Sequence, residues 1–423
     1  MQRSIFMLLL IVFIIPSPAG AGEIIKKGET LNLGQCIKIA LKNHPDIIAA
    51  RSTVGINQSR IGQAKAGYYP QISLSSGYSR YSPALETTNR AFDEYTGRVT
   101  LKQNIYDFGK TATQMKTRRL NMDSSHSDFE NTSEQIIFKV KQAYFGVLKA
   151  RRKRDVAMET VTQFRQHLKQ AKNFYEAGSR PKFDVTKAEV DLSNAKLNLL
   201  IALNALRTTK ADLNNTMGIP DAPPYAIEDN LVFQKYDVTF KEALRRAYKQ
   251  RPDFQSISYR KKALEESVKL AKKGYYPTLS GNADYSWSGE RFPLTHAWSL
   301  GVTLSFPLFS GFSTKYQVEE ARQKLRVLEA NEEALKQNIF LEVQESYLNL
   351  KEAEERIPVA ELTVKQAKEN LNIANGRYKA GVGNPIELTD AEVALTNAKT
   401  AYIKALYDYK VAEASLVKAM GRR

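Results

Sequence analysis

Gly67-Tyr68-Tyr69-Pro70 returns as Gly274-Tyr275-Tyr276-Pro277, and after each copy the period of the chain changes. Beyond the second proline, Leu279, Gly281, Ala283, Tyr285 and Trp287 alternate with Ser280, Asn282, Asp284, Ser286 and Ser288, which is the two-residue period of a two-faced strand. Its partner is clearer: Trp298, Leu300, Val302, Leu304, Phe306 and Leu308 stand against Ser299, Gly301, Thr303 and Ser305. The first copy repeats this more weakly, through Ile72 and Leu74, then Val99, Leu101, Gln103 and Ile105 against Arg98, Thr100, Lys102 and Asn104. Each copy is therefore expected to contribute one hairpin, over residues 71–106 and 278–308. Strands of about ten residues, apolar on one face and aromatic near the ends, are what a transmembrane β-barrel requires. A soluble hairpin covering a core is the alternative.

The repeat extends well beyond the hairpins. Ala188-Glu189-Val190 with Asn194-Ala195-Lys196 returns as Ala391-Glu392-Val393 with Asn397-Ala398-Lys399, offset by 203 positions where the Tyr-Tyr-Pro motifs are offset by 207. Pro70 to Tyr106 spans 36 positions and Pro277 to Phe309 spans 32, so the extra four residues belong to the first hairpin, with residues 82–94 as its surface tip. Helices are expected over 33–66 and 240–273, broken at His44-Pro45-Asp46 and Arg251-Pro252-Asp253. A helical pattern resumes near Gly109 and Gly311 and runs to Ala177-Gly178 and Ala380-Gly381. The second run, residues 311–380, would extend about 105 Å, a length no globular core needs. Pro358 is expected to interrupt it. After the tips, Leu388, Ala391, Leu395, Ala398, Tyr402, Ala405, Tyr409, Ala412 and Leu416 place large residues and alanines at successive heptad positions, a seam for close helix packing. Residues 185–206 repeat the scheme. The plan that emerges is a signal peptide (1–21), a first structural repeat (22–218), an irregular linker (219–238) rich in proline, and a second repeat (239–423).

Arg3, the apolar run 5–15 and Ala19-Gly20-Ala21 read as a secretory signal, with the mature chain beginning at Gly22. The apolar run is too short to span a bilayer as a helix. Cys36 is the single cysteine, so no internal disulfide is expected, and with glycine at the first mature position no acyl anchor is expected either. The formal charge of +17 falls to +16 once Arg3 leaves. Nucleic acid is not expected as a partner, because the basic residues are dispersed among Glu and Asp apart from Arg151-Arg152-Lys153-Arg154. Catalysis finds little support: His44, His126, His167 and His296 are scattered, and neither H-E-x-x-H nor G-x-S-x-G occurs. No metal-ligand cluster and no cofactor motif is present.

Four strands cannot close a barrel in a membrane, because the outer two would leave N–H and C=O groups unpaired in hydrocarbon at several kcal/mol each. More chains are needed, and three copies would supply twelve strands, although strand count alone also permits a dimer with eight.

The duplication, the Tyr-Tyr-Pro motifs, Tyr106-Asp107-Phe108-Gly109, Pro307-Leu308-Phe309-Ser310-Gly311 and Tyr378-Lys379-Ala380-Gly381 together resemble the TolC family of outer-membrane efflux proteins across the mature chain. The resemblance implies a mainly α protein with a membrane β-barrel: a homotrimer whose duplicated long helices form an α-barrel below a 12-stranded β-barrel. It implies a passive exit duct in the Gram-negative outer membrane, extending into the periplasm and contacting outer-membrane lipid. Such a duct is gated at its periplasmic end and coupled through a periplasmic adaptor to an inner-membrane pump. Type I protein secretion is the alternative use, and a poreless periplasmic coiled-coil adaptor is the alternative of another class.

Residue by residue, Tyr378 looks like a gate latch and Gly381 marks its turn, with Tyr175, Gly178, Arg180 and Asp184 as the counterparts at the first turn. Glu387 and Asp390, three apart on one helical face, look like the acidic ring of the pore constriction. An ordinary acidic first turn after Pro385 would look the same. The family's arginine two positions after the turn glycine is replaced here by Gly383, while Arg180 holds the matching place after Gly178.

Overall fold

The computed structural model describes residues 25–82 and 91–421. The proposed signal peptide and most of the first hairpin tip lie outside the described residues. The two copies fold into the same elements. In the first, β1 (Thr30–Leu31) precedes α1 (Leu33–Asn43) and α2 (Pro45–Lys65), then come β2 (Gln71–Tyr81), β3 (Phe92–Tyr106), α3 (Lys110–Glu176) and α4 (Lys182–Thr216). In the second, β4 (Ala226–Ile227) precedes α5 (Phe240–Gln250), α6 (Pro252–Lys272), β5 (Thr278–Gly289), β6 (Thr295–Ser305), α7 (Ser313–Lys379) and α8 (Pro385–Ala419). Both long helices have 67 residues, about 100 Å of helix, and α4 and α8 both have 35.

Local chemistry accounts for the boundaries. Pro45 and Pro252 open α2 and α6 at the first helical turn, where a missing N–H costs no hydrogen bond. At the return from β3 to α3, Asp107 accepts from the Gly109 and Thr111 amides at 2.9 and 2.8 Å and caps the long helix. Two consecutive left-handed residues make that turn in each copy, Phe108-Gly109 and Gly311-Phe312, with glycine and phenylalanine exchanged in order. Gly67 and Gly274 are dictated by crowding: a β-carbon would lie 3.1 Å from Thr111 and 2.8 Å from Thr314, each in the first turn of a long helix.

Pro358 does not interrupt α7, which runs unbroken through it. The proline sits on an exposed part of the helix, while Ala353 and Ile357 beside it are buried. Packing on the inner face holds the axis, and only one outer hydrogen bond is lost. β6 ends at Ser305, short of residue 308, because Pro307 has no N–H to continue a ladder.

The two hairpins join into one antiparallel sheet of order β2-β3-β5-β6. The register aligns Leu74, Val99, Tyr285 and Trp298 in one row and Ser73, Thr100, Asp284 and Ser299 in the next. One face is thus apolar and the other polar, with Thr100 donating to Asp284 at 2.6 Å. Trp298, Leu300, Val302 and Leu304 are 66–76% exposed, so among the described residues nothing covers this part of the apolar face. Among the described residues no helix is long and apolar enough to cross a membrane.

Below the sheet the helices stand side by side. α3 packs against α2 and α6, and α6 against α7; farther down, α3 packs against α4 and α8, and α8 against α7. α4 stacks end to end beneath α2, where a β-carbon on Gly218 would lie 2.9 Å from the Asn43 carbonyl, and Arg251 at the α5–α6 break donates to the Ala419 carbonyl at 3.1 Å where α8 ends. The main core lies at this waist around Tyr144, Leu148, Leu213, Leu350 and Tyr409, with Cys36 fully buried in it. The basic run proves structural there: Arg151 bonds the Ile227 carbonyl at 3.0 Å and, with Arg152, pairs with Asp229 at 2.6 and 2.9 Å.

Candidate functional site

The end of the molecule farthest from the sheet is built from two helical hairpins, α3–α4 and α7–α8. Each turn closes on a left-handed glycine with paired carbonyl-capping bonds. Gly178 and Ser179 donate to Tyr175 and Phe174, both at 2.9 Å, and Gly381 and Val382 donate to Tyr378 and Arg377, both at 3.1 Å.

Tyr378, Asp184 and Arg180 come together between the hairpins. Tyr378 is 2% exposed, packed edge-on against Phe174 at 5.8 Å, and the Arg180 guanidinium lies 5.7 Å from its ring. Burial and then the nearby Asp184 raise the Tyr378 phenol above its ordinary value, against the lowering effect of Arg180. Arg180 donates to the Gly381 carbonyl at 3.0 Å and the Gly383 carbonyl at 2.8 Å, so the first turn holds the backbone of the second. Gly383 cannot carry a side chain here, because a β-carbon would lie 2.7 Å from the Tyr378 nitrogen. Asp184 is buried, and its Oδ2 has no hydrogen-bond partner.

Glu387 and Asp390 stand apart from this cluster. Both are exposed on α8 while Leu388 and Ala391 between and beside them are buried, and Glu387 approaches Arg377 at 3.5 Å. Tyr175 is also exposed and joins neither group.

One layer farther from the tip lies a polar group that the sequence reading passed over. His167 on α3 and Glu392 on α8 approach at 3.1 Å, with Glu392 only 2% exposed and its Oε2 unpartnered. Asp191 on α4 lies alongside, held by Lys187 at 2.9 Å and Thr389 at 3.0 Å. Burial lowers the His167 imidazole to about 4, an effect Lys379 adds to and Asp191 opposes. Burial, and then Asp191, raise the Glu392 carboxyl to about 8. Both shifts favour the uncharged forms, so the contact joins the two hairpins with little buried charge. The available signal was position: Glu392 follows Ala391 in the seam, and an acid there has helix neighbours rather than water. Among the described residues no group of three or more His, Cys, Asp or Glu could hold a metal ion.

The profile of the family described as "Outer membrane efflux protein" matches residues 36–219 and 243–422, most of the chain. The outer membrane protein TolC of Vibrio cholerae is 21% identical over 403 residues, covering 92% of this chain and 90% of the relative. The alkaline protease secretion protein AprF of Pseudomonas aeruginosa is 22% identical over 395 residues, covering 89% and 82%. Among solved structures, CusC, described in terms of transmembrane channel formation, superposes with a TM-score of 0.81 at 17% identity over 97% of this chain and all of that one. The mainly α protomer with its four-stranded sheet is the fold of these channels. The chain belongs to the outer membrane efflux protein family and is a TolC-type outer-membrane transport channel.

Proposed function

We propose that three copies of this chain close a 12-stranded β-barrel and a continuous α-barrel, forming a passive exit duct of a tripartite efflux system. The carrying observation is that the protomer ends in matching open edges. β2 and β6 are the outer strands of the sheet, and α2 with α4 and α7 are the outer helices below it. Exposed apolar side chains lie along those helical edges, among them Val190, Leu197, Leu200 and Ile201 on α4 and Phe340, Leu341 and Leu348 on α7. One edge differs from the other, so the contact is head-to-tail and closes by rotation, and burying both strand edges satisfies the backbone in lipid.

In this reading the tip is the gate. Arg180 supplies from the α3–α4 turn the grip that Gly383 cannot supply from the α7–α8 turn, while Tyr378 and Asp184 fill the space between. Tyr175, Gly178 and Gly381 shape the turns. Glu387 and Asp390 face the pore and concentrate six carboxylates per trimer, drawing cations. A periplasmic adaptor engages the tip and an inner-membrane pump supplies the energy. The family's description favours efflux, and the likeness to AprF keeps protein secretion as the second use of the same duct. A poreless adaptor has no use for a sheet with one bare apolar face.

The test is purification in detergent with mass measurement and planar-bilayer conductance. A complex of three subunits with discrete conductance is expected, and a stable monomer with no ion current overturns the proposal.

A further inference from the structure

The positive charge of this chain is concentrated beneath the strands. Residues 54–69 and 261–276 lead up to β2 and β5, and residues 107–121 and 310–324 leave β3 and β6. Together these stretches carry fourteen lysines and arginines against five carboxylates, nine of the formal +17. All lie within about 30 Å of the strand ends along the helices. Half of the fourteen engage a carboxylate or a backbone carbonyl inside the protomer: Lys273 donates to the Phe108 carbonyl at 2.8 Å, Lys110 to the Tyr276 carbonyl at 3.3 Å, Lys116 and Lys269 pair with Glu266 at 2.8 and 2.9 Å, Lys261 pairs with Glu332 at 3.0 Å, Lys324 with Glu320 at 2.5 Å, and Arg322 with Glu319 at 3.7 Å.

Within this layer an open groove of about 720 Å³ runs between the residues before β5 and the first turns of α7, lined by Lys272, Tyr275, Tyr276, Lys315, Tyr316 and Arg322. Glu319 is the one carboxylate lining it, 3.7 Å from Arg322. The three tyrosines are half-exposed or more, and between β6 and the groove the chain presents Leu308, Phe309 and Phe312 uncovered.

We propose that this groove binds the headgroup of an anionic phospholipid from the leaflet on the helical side of the membrane. Lys272, Lys315 and Arg322 contact the phosphate, Arg322 with the forked geometry suited to it. The tyrosines take the amphipathic interface position and the apolar residues beside β6 meet the upper acyl chain. Basic side chains within a Debye length of the surface, about 8–10 Å, attract anionic lipid, which gives the part of the excess charge nearest the strands a physical use. The inference rests on the membrane placement of the sheet.

The experiment is native mass spectrometry of the full mature protein in detergent, titrated with phosphatidylglycerol or phosphatidylcholine, with bilayer conductance measured on the same preparation. Wild type is expected to retain phosphatidylglycerol at least fivefold over phosphatidylcholine. Lys272→Ser with Lys315→Ser and Arg322→Ser should remove that preference, and the charge-keeping set Lys272→Arg with Lys315→Arg, Arg322 being retained, should keep it. Equal retention of both lipids by wild type overturns the proposal without needing any variant. So does an unchanged preference in the serine variant, or its loss in the charge-keeping set. Absent conductance would count against the duct and leave the lipid result to be judged by itself.

Discussion

Arg180 makes the contact that family pattern alone would have assigned elsewhere. Its two bonds to the Gly381 and Gly383 carbonyls are charge-assisted, and each is worth roughly 1.5–3 kcal/mol when made by a charged donor. Arg180→Ala is accordingly expected to raise open probability in planar bilayers by about tenfold, near 1.4 kcal/mol after water replaces part of the loss. Unchanged gating would remove Arg180 from the latch. His167 and Glu392 give a second residue-scale prediction. The His167 value is depressed, so its contribution to hairpin contact is present above the ordinary imidazole range and is lost as pH falls toward about 4. The Glu392 value is raised, so its contribution is present at low pH and is lost as pH rises through about 8. Contact between α3 and α8 should thus be tightest in mildly acidic solution and loosen on both sides, read as conductance or as amide exchange at the tip against pH. Glu392→Gln should flatten the alkaline limb only. Asp191, Lys187 and Lys379 surround the pair and set its local field. Of the tip chemistry, the glycine turns could be read from the chain, since left-handed C-caps have a local signature. The Arg180 grip and the buried pair could not, because each joins residues more than 200 positions apart.

At the scale of elements, the repeated Gly in Gly-Tyr-Tyr-Pro has a packing cause. Gly274→Ala places a carbon 2.8 Å from Thr314 Cγ2, and such overpacking costs about 1–3 kcal/mol. A lower unfolding temperature of the detergent-solubilised protein is expected, with partial recovery in Gly274→Ala combined with Thr314→Ser, which removes the clashing methyl. Gly67→Ala, with more room at 3.1 Å, should cost less. If the double variant recovers nothing, the glycine serves the backbone and not the contact. Helix and strand boundaries were legible wherever the signal was local: proline at helix starts, period two in the strands, Asp107 at the strand-to-helix return. Pro358 was misread as a break because a helix-breaking residue is judged against an isolated helix. Here the helix runs on through it, with Ala353 and Ile357 on the inner face buried.

At the scale of the whole molecule, the proposed trimer would set the Glu387 and Asp390 carboxylates around the duct's end, far from the basic stretches beneath the strands, and charge selection would then be a property of that end. Glu387→Gln with Asp390→Asn should move the reversal potential in a salt gradient toward lower cation preference, several-fold in permeability ratio, while mass and expression stay unchanged. No movement would separate these two carboxylates from the conduction path. The sequence by itself determined the duplication and the class of every major element, because periodicity and turn chemistry act over a few residues. Only the tertiary structure decided that β3 pairs with β5 to merge the hairpins into one sheet, that α4 and α8 stack beneath α2 and α6, and that Arg180 reaches across to the other turn. Those contacts depend on where two distant stretches meet, and nothing in either stretch alone carries that information.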